Sequence, residues 1–382
     1  MRRLILKTVL VLAFVSAAVP WFPDPALSGQ EGEGKTTAGA FAFPTSENDA
    51  RFRFTSFPDL FNWNVTYPQP GWEDAVGWFL DGMKKEGPAF SLNAGDIMDA
   101  RWWSSPEEVR RETQGYWGGF RKRFDDKGIT LYVAPGDHEY GDDQGLRKMD
   151  LAPVFAEQFT KILGMPQSGP AHKKGRAYTV TRENLAVITV DTFEDAGNRM
   201  SMTVSGKQLA WLEEQLKKHQ DKTFIIVQGH VPVVGPVRSK NSSANMLEGG
   251  TGSAFWKTMV AHGVDAYFCG EHHRITCTKR DGIWQIVHGA LWGTQTDLNY
   301  LRGSVWPDRL ELELFQFDVE YGGERLTGQH PHRGKGGPWS EVTIAESSRR
   351  NGPRSVGKLV IEARPDGNET TEATGAFATG HP

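Results

Sequence analysis

Apolar and polar positions follow two periods along residues 51–319, and the two periods take turns. Short β-rich runs at 51–57, 89–93, 130–134, 177–181, 185–191, 223–228, 266–269, 275–278, 283–288 and 309–319 predict strands. Between them the apolar spacing lengthens to three and four residues. Over 74–86 that spacing puts Ala75, Val76, Phe79, Leu80 and Met83 on one helical face. Ser105-Pro106-Glu107-Glu108 reads as an N-cap, a proline at the first helical position and a capping-box Glu. Ser205 and Gln208 repeat the box ahead of Leu209, Leu212 and Leu216. Asp281-Gly282 predicts a tight hairpin between two of the strands. This alternation predicts an α/β (α+β) chain of sheets covered by helices, with ligands gathering at the carboxyl ends of strands.

The ends of the chain read differently. Arg2, Arg3 and Lys7 precede an apolar run closed by Ser16-Ala17-Ala18, the pattern of a cleaved export signal over residues 1–22. The expected location is periplasmic, secreted or cell-surface. No second apolar run is long enough to span a membrane. Residues 23–50 have the Gly, Ser, Thr, Glu and Pro content of a flexible linker. Composition shifts again after residue 321, so 322–382 is expected as a low-complexity, largely irregular tail with one short strand at 358–363. His330 and His332 fall in it as solvated residues.

Composition narrows the classes. At 382 residues, 38% hydrophobic and 24% charged, the chain can bury one large core. A formal net charge of −4 carries no nucleic-acid-binding signature. Trp63, Trp72, Trp78, Trp102, Trp103 and Trp117 cluster, which reads first as core packing and second as an aromatic-lined cleft. There is no P-loop and no G-x-S-x-G elbow.

The candidate chemistry lies where the strands stop. Asp59 and Asn62 follow the first strand, and Asp96 follows the second after Gly95. Asp137, His138 and Glu139 follow the third after Gly136. His230 follows 223–228, and Glu271, His272 and His273 follow 266–269. Each is a common turn residue alone. Carboxylates and imidazoles at five strand ends suit bound divalent cations better than any packing demand.

The series Gly-Asp, Gly-Asp-His-Glu, Gly-His and Gly-Glu-His-His resembles the calcineurin-like metallophosphoesterases over about 51–321. That family's pattern is Asp-x-His, Gly-Asp, Gly-Asn-His-Asp/Glu, Gly-His and Gly-His-x-His. The resemblance implies a four-layer αββα sandwich of two mixed sheets flanked by helices. It implies Asp59 and His273 on one metal, Asp137, His230 and Glu271 on the other, and Asp96 bridging the two. It also implies a hydrolase in which a metal-held hydroxide attacks the phosphorus of a mono- or diester while His138 assists the leaving group. The substrate would be a phosphorylated small molecule or polymer. Specificity would come from the stretches 63–72, 102–117 and 238–253 beside the motifs.

Three positions depart from the pattern. Phe61 stands for the first-motif His, Asp137 for Asn and Glu271 for His. Asn62 could replace the ligand lost at Phe61. The carboxylate-rich set favours Mn, Mg or Ca, with Fe or Zn as the softer choices, and it weakens attraction for a phosphate dianion. Arg101 is a candidate to restore positive charge. A different class of function also fits, a non-catalytic module that holds a glycan or cell-wall polymer in a degenerate cleft.

Cys269 and Cys277, the only cysteines, flank the last motif. In an extended chain Glu271 and His273 would point together and His272 away. A disulfide pinning this loop and a pair of free thiols are both open at this stage.

Overall fold

The computed structural model describes residues 50–57, 59–60, 71–98, 103–141, 150–240, 242–289, 297–329 and 336–382. The expectations for the export signal and linker, and for Phe61, Asn62, Arg101, His330 and His332, lie outside the described residues.

Three parallel strands start the first sheet: β1 (Phe52–Phe57), β2 (Ser91–Asn93) and β3 (Leu131–Val133). On the other side of β1 the sheet continues with antiparallel strands. These are β12 (Asp297–Val305), β13 (Arg309–Gln329), β15 (Arg354–Glu362) and β16 (Glu369–Gly375). A further strand, β14 (Gly336–Ile344), pairs with the far half of β13.

The second sheet has the order β10-β11-β9-β8-β5-β4. Its parallel centre is β5 (Leu185–Thr189), β8 (Phe224–Gln228), β9 (Ala266–Cys269) and β11 (Ile283–Val287). Its antiparallel edges are β4 (Tyr178–Arg182) and β10 (Thr276–Arg280), and β6 (Phe193–Asp195) and β7 (Met200–Met202) pair as a separate two-stranded ribbon.

Alternation along these strands fills three apolar layers. Between the sheets, Phe54, Leu92, Leu301 and Leu312 meet Val187, Ile226, Phe268 and Ile286. Outside the first sheet, Phe57, Tyr300, Phe315 and Phe317 pack with α1 (Trp72–Lys85) and α2 (Pro106–Lys127). α3 (Ala152–Leu163) joins the same layer. Outside the second sheet, Ile188, Val227 and Tyr267 pack with α4 (Gly206–Lys218) and α5 (Ala254–Ala261). The fold is therefore helix, sheet, sheet, helix. Gly303 on β12 is dictated by the middle layer, since a Cβ there would lie 2.1 Å from the Phe54 ring. Emptying a large side chain from such a layer costs about 2–5 kcal/mol.

The helix termini follow local chemistry unevenly. Ser105 Oγ accepts from Glu108 N at 3.2 Å, and Gly128 ends α2 in the left-handed region at φ 66°. The reciprocal half of that box goes elsewhere, because Glu108 accepts from Ser104 N. At α4 the expected box is not made. Ser205 makes no side-chain cap, and Gln208 turns inward to bond the backbone N–H and carbonyl of Asp191.

The structure also differs from expectation in the C-terminal stretch, settles the cysteine pairing that the sequence leaves open, and places three of the tryptophans. Residues 322–382 are not a largely irregular tail. β15 is an interior strand of the first sheet, with Leu359 and Ile361 in the middle layer, and Phe377 of α6 (Ala376–Thr379) packs with them. The strand signal is diluted by polar β16, whose sequence ETTEATG faces solvent along most of its length.

The cysteines are free, and they are held apart. Cys269 lies on β9 and Cys277 on β10, with β11 paired between them, and they face different apolar layers. Two strand spacings, about 10 Å, exceed any disulfide reach. Finally, Trp72, Trp103 and Trp117 are core residues of the outer helical layer.

Asp265 ties the C-terminal segment to the second sheet. Its carboxylate accepts from Ile225 N at 2.8 Å and from the Asn368 amide at 2.8 Å. Burial pushes this carboxyl up from 3.8 to about 6 despite both donors. The folded state thus binds more protons than the unfolded state between those values, and stability falls as pH rises through that window. Compared with Asp265→Asn at each pH, the wild type should lose about 3 kcal/mol of relative stability between pH 4 and 6. Denaturant unfolding across that range measures the difference, and a flat difference would refute the assignment.

Candidate metal centre

The parallel strands of both sheets end at one edge, and the turns that follow carry the candidate residues. Asn93 fastens two of these ends, donating from Nδ2 to Phe57 O and accepting at Oδ1 from Gly95 N. The turns after β2 and β3 then approach glycine to glycine. A Cβ on Gly95 would lie 2.6 Å from Gly136 N, and one on Gly136 would lie 2.2 Å from Asp96 Oδ1. Gly95 also has φ 107°, a conformation closed to other residues.

Glu139 holds the two turns in register. Its Oε2 accepts from Asp96 N at 2.8 Å and Gly136 N at 2.7 Å, and its Oε1 accepts from Ile97 N at 2.9 Å.

Within this frame Asp96, Asp137, His230 and Glu271 each place a donor atom within 4.8 Å of all the others. His230 Nε2 lies 3.4 Å from Asp96 Oδ2, 3.3 Å from Asp137 Oδ1 and 3.4 Å from Glu271 Oε2. All four side chains are buried.

Most are held by one atom and aimed by another. His230 donates from Nδ1 to Ala94 O at 2.7 Å, leaving the Nε2 lone pair facing the carboxylates. Asp96 Oδ1 accepts from His138 N, and Glu271 Oε1 accepts from Ser242 Oγ and Asn245 N. Fixing one atom so that the other points at a common spot is how proteins orient metal ligands.

Asp59 lies beside the group, fully buried, with Oδ1 3.9 Å from His230 Nδ1. Neither of its oxygens makes a hydrogen bond, nor do Asp137 Oδ1 or His230 Nε2. Buried polar atoms are otherwise nearly always paired, so this set fits a divalent cation rather than a packing role.

Electrostatics says the same. Burial raises Asp96 well above the usual carboxylate range, and the neighbouring Asp137 charge adds to it. Burial also raises Asp59 to about 8, with His230 opposing and Glu271 repelling. Glu271 is raised by burial and by Asp137. Asp137 alone is pulled down, against its own burial, by His138 and His230. Several carboxylates raised by burial, and further by one another, form a site short of positive charge.

Backbone strain marks the same residues. Among the described residues seven non-glycines have positive φ, and four of them are Asp59 at 35°, Asp96 at 58°, Glu271 at 71° and His273 at 61°. Such conformations cost about 1–3 kcal/mol each and persist where function needs them.

The left-handed turns at Glu271 and His273 also replace the extended-chain argument for their orientation, because 270–275 is not a strand. His272 turns to Asn245 O at 3.0 Å. His273 is buried outside the four-donor group, with Nδ1 bonded to Lys240 O at 3.0 Å, and burial pulls it down to about 4. His138 is buried on the turn between Asp137 and Glu139, its charge felt by Asp96, Asp137 and His273. Asn62 and Arg101 are outside the described residues.

Sequence reasoning did not find the buried network behind the His138 turn. There Tyr140 and Lys173 meet Asp191, with Tyr140 Oη at 2.5 Å and Lys173 Nζ at 3.0 Å, and Arg176 bonds both Tyr140 and Asp191. No motif spacing links those positions.

Glu139 is a positioning residue, and Glu139→Gln sets an amide N–H₂ against backbone N–H donors. Metal affinity should fall about 10–100-fold, as loss of an orienting partner does elsewhere. Chelator competition measures it, and an unchanged affinity would reduce Glu139 to a fold contact.

The profile of the calcineurin-like phosphoesterase family matches residues 52–274. The chain is 23% identical over 272 residues to tartrate-resistant acid phosphatase type 5 of Rattus norvegicus, covering 64% of this chain and 73% of that one. It is similar to the solved purple acid phosphatase PPD1 from yellow lupin (Lupinus luteus) seeds, at 13% identity and a TM-score of 0.49. That match covers 69% of this chain and 51% of the lupin chain, so the protein spans about half its length. It is also similar to GAP50, the anchor in the inner membrane complex of Plasmodium, at 12% identity and a TM-score of 0.44, over 70% of this chain and 85% of that one. Since the family profile covers more than half of its residues, the chain belongs to the calcineurin-like phosphoesterase family.

Proposed function

We propose that this protein hydrolyses phosphoesters at a divalent metal centre built on Asp96, Asp137, His230 and Glu271. Asp59 and His273 complete the donor set. The observation that supports it is the convergence of four buried donor atoms within 4.8 Å at the ends of neighbouring strands. Cations held there supply Lewis-acid polarisation of a phosphoryl oxygen and acidification of water. A donor set of four carboxylates and two imidazoles suits hard cations such as Mn, Mg or Ca better than Zn.

The chain's own residues do the rest. Glu139 fixes the spacing of Asp96 and Asp137 through three amides. The Ala94 carbonyl fixes the His230 tautomer. His138, electrostatically coupled to Asp96 and Asp137, is the group placed to deliver a proton to the departing alcohol oxygen. The same reading takes the N-terminal segment as an export signal, and N-terminal sequencing of the mature protein tests that cleavage.

Metal analysis of the purified protein should find at least one equivalent of a hard divalent cation, with hydrolysis of aryl phosphate mono- or diesters. Protein reconstituted with Mn, Mg, Ca, Zn or Fe that hydrolyses neither class would refute the reading. Bound metal without turnover would favour a ligand-holding module instead. His138→Ala should lower kcat on an aryl phosphomonoester about 10²–10⁴-fold with metal content unchanged. A kcat within twofold of wild type would remove His138 from the reaction.

A further inference from the structure

Behind the His138–Tyr140 turn lies a cluster whose charges, unlike those of the metal centre, balance. Lys173 and Arg176 face Asp191 and Glu194, with Lys173 Nζ 3.6 Å from Glu194 Oε2. Both oxygens of Asp191 are engaged. Oδ2 accepts from Tyr140 Oη, Lys173 Nζ and Arg176 Nη1, and Oδ1 accepts from Phe193 N at 3.1 Å. Tyr140, Lys173, Asp191 and Phe193 are all buried. Ion pairs buried this deeply add little net stability, because desolvation offsets their attraction. What the cluster does supply is fixed geometry, and that geometry reaches the metal centre along two routes.

Strand register sets the first route. Thr189 on β5 pairs with Gln228 on β8, and Val190 N donates to Gln228 O. Two residues further along each strand stand Asp191 and His230, so they leave neighbouring strands at one level, about 5 Å apart by strand spacing. The two chain segments stay in contact there, since a Cβ on Gly229 would lie 2.8 Å from Thr192 Cγ2. Phe193 follows, pinned by its N–H to Asp191 and by its carbonyl to Lys173 Nζ. Its ring centroid lies 6.3 Å from that of His230, with 34° between the planes.

The second route runs through Tyr140. Its N–H donates to Asp137 O at 2.9 Å, which closes the turn on which His138 sits. Its phenol ties the far end of that turn to Asp191, while His138 N and Glu139 tie the near end to the Asp96 turn. The Tyr140 ring also lies 5.5 Å from the Phe193 ring, so the two routes brace each other. One carboxylate, at the end of a strand that carries none of the candidate metal donors, thus holds both the turn of His138 and the ring beside His230.

We infer that Asp191 is a positioning residue for the reaction, fixing His138 through Tyr140 and the plane of the His230 ring through Phe193. This rests on the phosphoesterase reading and adds to it the part of the molecule that holds the proton donor in line. Tyr140→Phe removes the phenol bond and keeps the ring, so it loosens the His138 turn without emptying the core. Asp191→Asn would leave Lys173 and Arg176 short of a counter-charge and endanger folding, so it is the poorer probe.

The test compares phenyl phosphate, whose leaving oxygen needs a proton, with dinitrophenyl phosphate, whose leaving oxygen departs as a stable anion. In full-length, Mn-loaded protein, Tyr140→Phe should lower kcat on phenyl phosphate about tenfold. On the dinitrophenyl ester kcat should stay within about twofold of wild type, and KM for both esters should be unchanged. A mere loss of folded protein would lower both rates equally. Phe193→Leu, which keeps the phenol bond, should weaken Mn binding about threefold in chelator competition. Equal losses on the two esters in Tyr140→Phe, or none, overturn the inference while the phosphoesterase reading stands, and so does an unchanged Mn affinity in Phe193→Leu. If the wild type hydrolyses neither ester with Mn, Mg, Ca, Zn or Fe, the phosphoesterase reading fails. The Mn affinity of Phe193→Leu then decides the brace: a weakened affinity keeps Asp191 as a support of the His230 ring, and an unchanged one removes it.

Discussion

Everything at the working edge of this protein answers to one electrostatic constraint. Several carboxylates are buried around His230, and an interior of low polarity cannot hold that much unpaired negative charge comfortably. Burial, with mutual repulsion added to it, raises Asp59, Asp96 and Glu271 together. What keeps the groups in place is neutral rather than charged. Backbone amides, one carbonyl and a serine hydroxyl grip Asp96, His230 and Glu271 by one atom each. The scaffold thereby supplies orientation and leaves charge balance to a cation.

The turns bear the cost of that orientation. Four of the site's side chains sit on left-handed backbone, and the two Gly-Asp turns interlock so tightly that neither glycine could carry a side chain. Such turns are stable only because both sheets behind them are filled on both faces, with Phe54, Phe268 and Leu312 in the middle layer fixing where the strands stop. Packing far from the chemistry sets the spacing of the donors.

Much of this was legible in the sequence because it is written locally. Short apolar runs found β1, β5, β8, β9 and β11, since buried parallel strands are nearly continuous apolar segments. Glycine followed by a carboxylate at strand ends pointed to Asp96 and Asp137, because a sharp turn there leaves the side chain at the sheet edge. What was illegible is relational. The carbonyls that orient His230 and His273 have no sequence signature. The separation of Cys269 from Cys277 by β11 depends on strand order, which neighbouring positions in the chain conceal. Gln208 looked like a capping residue and instead bonds Asp191, a partner brought in by tertiary structure. Polar β16 hid the strand character of the residues around it.

The position of β1 carries a consequence for how the chain reaches this state. Its partners are β2, close by in sequence, and β12, which begins at Asp297. β15, still later, supplies middle-layer residues. Every candidate donor has been synthesised by His273, yet the first sheet stays half-built, with an open edge at β1, until the final part of the chain has emerged. Assembly of the edge that carries the donor group is therefore a late, long-range event that a growing chain cannot complete piece by piece. A product cut short after the last motif would carry the complete donor inventory and lack the strands that hold it in one place.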